Sequence, residues 1–298
     1  MSSQLRYSFK KESAQFFRKF KFWGIVLAIF GFAFANPMMY KVTGILFKQL
    51  NDNQQFTVAI QTSAMPDSEN PADDLLGGLG IGDMAAMYSR ADSTFSMSLI
   101  NFSSYSLLII LLVMMSAAGG EQKKRAMIVP MCSGLKFKNY LIPKFVIYPL
   151  SVFALTFLGG LTAGGLCNSL FEAGRVSFGI VALGSLLISV YMAFIVTVYL
   201  SLGLCTSRPG VMAGAVFIGQ MILQSMLEGM GLGDYQPFTL VTVLSLMSAP
   251  DFELSEKMPS ILTAIGLSIV IGVLMFFLAL AVLGAKKIDN TEEEKPAF

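Results

Sequence analysis

Six stretches of this chain carry no Asp, Glu, Lys or Arg and run for 19 to 32 residues each: 22–40, 93–120, 145–171, 176–207, 209–227 and 258–285. A helix rises about 1.5 Å per residue, so about 20 apolar residues cross the ~30 Å hydrocarbon layer. A helix also satisfies its own backbone where no water is at hand. Charge-free runs of this length have few other folds open to them. The composition agrees, because 54% of the 298 residues are hydrophobic and 13% are charged, against roughly 25% charged in a soluble domain. The expectation is an all-α membrane protein with six transmembrane helices. A seventh charge-free run, 235–250, has 16 residues, opens with Tyr235-Gln236-Pro237 and closes on Pro250. It reads as a re-entrant or interfacial segment, with a seventh span as the alternative.

Basic residues set orientation. With six spans and a cytoplasmic amino terminus, the cytoplasmic segments hold Arg6, Lys10, Lys11, Arg18, Lys19, Lys21, Lys123, Lys124, Arg125, Lys136, Lys138, Lys144, Arg208, Lys286, Lys287 and Lys295. Only Lys41, Lys48, Arg90, Arg175 and Lys257 fall outside or near the outer ends. The expected topology is a multi-pass protein of the cell membrane with both termini cytoplasmic. A seventh span would move Lys286 and Lys287 outside. Ala33-Phe34-Ala35 imitates a signal-peptidase site, but the basic region before it is long, and the first run reads as a retained span.

Several function classes are disfavoured. The chain holds 21 Lys and Arg against 19 Asp and Glu, without the basic excess of a nucleic-acid binder. It has no histidine, the commonest general base and transition-metal ligand. Cys132, Cys167 and Cys205 form no CxxC pair. An intramembrane enzyme would have to rely on paired acids such as Asp73-Asp74, which fall in an outer loop. The glycines of Leu75-Leu76-Gly77-Gly78-Leu79-Gly80-Ile81-Gly82 lack the Lys-Ser/Thr of a phosphate loop, and no GxxxxGK[ST] occurs. No catalytic residue, metal site or prosthetic group is expected in this chain.

The hydrophilic parts divide it further. Residues 1–21 form an amphipathic helix, with Leu5, Phe9, Phe16 and Phe20 on one face and Arg6, Lys10, Arg18 and Lys19 mostly elsewhere. Such a helix lies in the headgroup region beside membrane lipids, or meets a partner protein. Residues 22–298 form the six-span domain. Within it, 49–92 is an acidic outer loop, 121–144 a cytoplasmic loop, 229–257 a broken outer segment and 286–298 a cytoplasmic tail. Gly160/Gly164, Gly210/Gly214 and Gly229/Gly233 have the spacing of close helix approach. Glu228, Asp234, Tyr235 and Pro237 border the broken segment. They mark a pathway or outer gate if held at membrane depth, and little if they lie at the surface.

The loop 121–144 has more than positive charge to explain. Apolar Met127, Ile128, Val129 and Met131 sit beside Lys123, Lys124 and Arg125, and apolar residues on such a loop usually pack against something. Here the sequence resembles the permease subunit of type-2 ATP-binding-cassette (ABC) exporters. Glu121 matches the acid that closes the second span in that family, Met127–Met131 the short apolar helix, Ser133-Gly134 the turn, and Lys144 the closing lysine. The sequence departs from the pattern at Arg125-Ala126, where Gly-Thr is usual, at Gly134 and Pro130, where the turn proline has moved, and at Pro143, where glycine precedes the lysine.

The resemblance implies that 121–144 couples to a separate ATPase subunit through Glu121, Arg125, Met127, Ile128, Val129, Pro130, Met131, Gly134 and Lys144. It implies ATP and Mg bound by that partner, two ATPase copies and a second permease copy forming a homodimer. The cargo class it suggests is an amphipathic peptide or lipid-like molecule. A non-transporting scaffold or sensor is the alternative, and it has no need of a coupling loop.

Overall fold

The computed structural model describes residues 3–18, 20–64, 87–120, 136–206, 208–247, 252 and 254–293, of which 3, 50–64, 119, 120 and 285–293 are described by backbone alone. It is helical almost throughout. Helix α1 is Ser3–Arg18 and α2 is Phe20–Ala64. Helix α3 covers 91–120 in four pieces: α-helix at Ala91–Asn101, a π-helical turn at Phe102–Ser106, α-helix at Leu107–Val113, and a second π-turn at Ser116–Gly120. Then follow α4 (Phe137–Leu170), α5 (Phe178–Cys205), α6 (Pro209–Gly229), α7 (Thr239–Leu246) and α8 (Leu254–Glu293). Six of these are long and apolar enough to cross a membrane: Phe20–Gln49, Ala91–Val113, Phe137–Leu170, Phe178–Cys205, Pro209–Gly229 and Leu254–Gly284. Each contains one of the charge-free runs or most of it. The chain is built as a multi-pass membrane protein.

Helix ends follow local chemistry. Ser177 caps α5, its Oγ accepting from the Ile180 amide, and Pro209 opens α6 where its missing N–H is not needed. Helix α6 stops at Gly231, whose φ of 75° only glycine adopts without cost, while the Leu232 amide reaches back to the Leu227 carbonyl at 2.9 Å. Lys41 Nζ of α2 donates to the Leu170 carbonyl at 2.7 Å, closing the last turn of α4.

Helix α5 lies at the centre, against α3, α4, α6, α7 and α8, while α2 packs on α3 and α4, and α1 on α2 and α4. The α4–α5 seam depends on small residues. A Cβ on Gly160 would lie 2.5 Å from Ser185 Oγ, and one on Gly164 would collide with Val181. Of the other expected close approaches, Gly210 meets Met115, whereas Gly214 and Gly229 open on empty space.

Helices run across four of the expected segment limits. Residues 137–144, expected in the cytoplasmic loop, are the start of α4; α2 runs on through Ala64 into the expected outer loop; and α8 runs to Glu293 into the expected tail. Charge ends an apolar run, but helices end only where backbone hydrogen bonds end. Phe20, expected on the amphipathic segment, begins α2 and is 80% exposed. Within 235–250 lies the eight-residue α7, too short to span. It sits between the end of α6 and the start of α8, and its Leu240, Val243 and Leu244 are buried in the core.

Candidate functional site

Glu12 is the only acid before Asp52, and it stands on the apolar stripe of α1 with Leu5, Phe9 and Phe16. That stripe is turned onto the bundle instead of into lipid: Phe16 is fully buried, its ring edge-on to Tyr148 of α4 at 5.1 Å. Glu12 is carried inward with it, to 5% exposure. A carboxylate taken out of water is very costly unless charged and hydrogen-bonding partners meet it, and here they do. Lys144 Nζ of α4 lies 3.3 Å from Glu12 Oε1, and the Tyr148 hydroxyl donates to the same oxygen at 2.8 Å. Lys21 of α2 donates to the Tyr148 hydroxyl at 3.2 Å.

Lys144 completes the junction. It is 0% exposed, donates to the Ala117 carbonyl of α3 at 3.3 Å, and lies 5.0 Å over the Tyr140 ring. At the outer edge Asn139 Nδ2 donates to Gln4 Oε1 at 3.0 Å. One cluster thus ties α1, α2, α3 and α4 together at their shared end. Ala117 lies just before the segment 121–135 and Lys144 in the helix just after it, so the cluster grips both flanks of that segment. What it can do is hold four helix ends as one body.

The expected coupling residues divide accordingly. Glu121, Arg125, Met127, Ile128, Val129, Pro130, Met131 and Gly134 lie outside the described residues. Lys144 lies inside them, and faces the core instead of the loop surface. The gate candidates do not converge. Glu228 is exposed, its carboxylate accepting from Gln224 and from Thr242 of α7 at 3.1 and 3.3 Å. Asp234 pairs with Lys257 at 3.4 Å, Tyr235 is 65% exposed, and Pro237 is buried. These acids fasten the turn around α7.

A second polar set, which the sequence reading did not single out, lies along α3. Gln220 of α6 donates to the Ser103 carbonyl at 3.3 Å and accepts from the Tyr191 hydroxyl of α5 at 2.7 Å. Asn101 donates to the Tyr40 hydroxyl of α2 at 2.7 Å. Glu12, Lys21 and Tyr148 were also absent from the expected site. The signal for Glu12 was present, as a lone acid on the apolar face of a basic helix. Nothing in the sequence marks Tyr148 or Gln220, whose roles depend on what other helices bring beside them. Among the described residues no three His, Cys, Asp or Glu side chains group as a metal site. No family model, curated protein or solved structure matches this chain.

Proposed function

We propose that this chain is the permease subunit of an ATP-driven exporter of the type-2 ABC kind, working with a separate ATPase that binds ATP and Mg. In this reading both termini are cytoplasmic in the cell membrane, the permease pairs with a second copy, and two ATPase subunits attach at 121–135. The observation that carries it is the buried cluster of Glu12, Lys144, Tyr148 and Lys21. A motor acting on a loop moves a membrane helix only if loop and helix are rigidly joined, because coupling needs an element that both partners bias. The cluster supplies that joint on both flanks of 121–135 and extends it to α1 and α2. Lys144 then serves coupling from within, as the anchor of the lever and not as a surface contact.

The amphipathic cargo class has its own support. A groove of about 420 Å³ between α4, α5 and α8 is lined by Phe145, Phe153, Val190, Phe194, Ile265 and Phe276 among others. Its hydroxyls are spent on their own helices, Thr197 on the Ala193 carbonyl and Ser268 on that of Ala264. Such a wall suits an acyl chain or the apolar side of a peptide.

The test is biochemical. Purified from its native membrane, the chain brings down an ABC ATPase in near-equal amount and stimulates its hydrolysis. Glu121→Lys, or polar replacement of Met127–Met131, removes the stimulation while the protein is still made. Recovery with no ATPase, or full stimulation in those variants, refutes the reading and leaves a scaffold or sensor.

A further inference from the structure

Helix α3 leaves α-helical geometry twice, at Phe102–Ser106 and at Ser116–Gly120. A π-turn inserts one residue into a helix, is rare, and is found frequently at functional sites. At each turn a side chain from another helix reaches a backbone oxygen. Gln220 Nε2 of α6 donates to the Ser103 carbonyl and Lys144 Nζ of α4 to the Ala117 carbonyl, each at 3.3 Å. Both donors are themselves held, Gln220 by the Tyr191 hydroxyl of α5 and Lys144 by Glu12 of α1. All four are buried. A buried hydrogen bond to a carbonyl stabilises the backbone geometry that presents it, so each outside donor favours the turn in which its bond is made.

Between the turns runs Leu-Leu-Ile-Ile-Leu-Leu-Val, residues 107–113, with no polar side chain. Leu107, Ile110 and Leu111 are fully buried, while Ile109 and Leu112 are 37% and 44% exposed. If a π-turn closes to α-helix, every later residue turns by about 100° and shifts by about 1.5 Å. A segment apolar on all sides permits that rotation, because either face is at home against the core or against lipid.

We propose that Leu107–Val113 is a swivel whose resting register is set by two side-chain clamps, Gln220 on the Ser103 carbonyl and Lys144 on the Ala117 carbonyl. Release of a clamp lets its π-turn close and rotates the helix beyond it. The first clamp answers to α5 and α6, the second to α1 and α4, so the swivel joins changes in the bundle to the end of α3 that enters 121–135. It is a property of the helix and does not rest on the permease reading.

The experiment uses the full chain in lipid nanodiscs, with Cys132, Cys167 and Cys205 replaced by Ala. A nitroxide is placed at Leu112, beyond the first turn, or at Met97, before it, and its collision rate with oxygen is read by electron paramagnetic resonance. Gln220→Asn, which withdraws the amide by one methylene, and Gln220→Leu, which removes it, are expected to change the rate at 112 by about twofold as that side turns, and to leave 97 as it was. An unchanged rate at 112 in both variants overturns the swivel. So does an equal change at 97 and 112, which signals general loosening. Should Gln220→Leu not fold, Gln220→Asn carries the test alone.

Discussion

Lys144 tolerates complete burial because Glu12, the Ala117 carbonyl and the Tyr140 ring surround its ammonium group. Removing one member of a buried pair leaves the other charge uncompensated, typically at a cost of about 3–5 kcal/mol, whereas replacing both by apolar groups is often neutral. Lys144→Met is therefore expected to lower the apparent Tm in detergent strongly, and Glu12→Met/Lys144→Met to recover most of the loss. A double variant as weak as the single one would show that the pair does not act as a unit. Gly160 makes a second prediction at this scale. Gly160→Val forces α4 away from Ser185 and costs on the order of 1–3 kcal/mol, while Gly214→Val, over open space, leaves the Tm close to that of the parent protein.

Among the elements, α1 departs furthest from what its pattern suggested. The periodicity of Leu5, Phe9 and Phe16 correctly marks an amphipathic helix, but periodicity says only that a face is buried, and lipid and protein bury it alike. Glu12 on that stripe favours protein, which can offer a lysine where acyl chains cannot. Helix α7 shows the converse limit. Its eight residues are held by a turn in which Thr239 Oγ1 donates to the Gly233 carbonyl at 2.7 Å and accepts from the Gln236 amide at 3.3 Å. Thr239 is 1% exposed, so Thr239→Val strands buried polar groups at about 1–3 kcal/mol. Hydrogen exchange is expected to quicken across 233–246 and to stay unchanged in α4. Exchange that stays slow across 233–246 would show that the short helix is held by its apolar contacts alone.

At the scale of the whole molecule, the proposed topology has six crossings, which return the chain to the side where it began and put α1 and the far end of α8 on one side. In that proposed topology the bias of basic residues puts this side in the cytoplasm. Tags at the two termini are then expected to be cleaved together by protease added to inside-out vesicles, and both to be protected in right-side-out ones. Cleavage of one tag alone in either preparation would mean an odd number of crossings.

The sequence by itself marked the six helices long and apolar enough to span and their approximate limits. Both follow from the high cost of placing charge in hydrocarbon, and that cost is paid residue by residue with little regard to neighbours. It also marked α1 as amphipathic and 235–250 as a re-entrant or interfacial segment, with a seventh span left as the alternative. Tertiary structure decided which charges escape the rule. Lys144 and Glu12 enter the core because two helices far apart in sequence bring them within 3.3 Å. It likewise brought donors on α6 and α4 to the carbonyls of Ser103 and Ala117, in the two turns where α3 departs from α-geometry. An isolated segment carries its own hydrophobicity, but the partner that makes a buried polar group affordable comes only with the packing of other helices beside it.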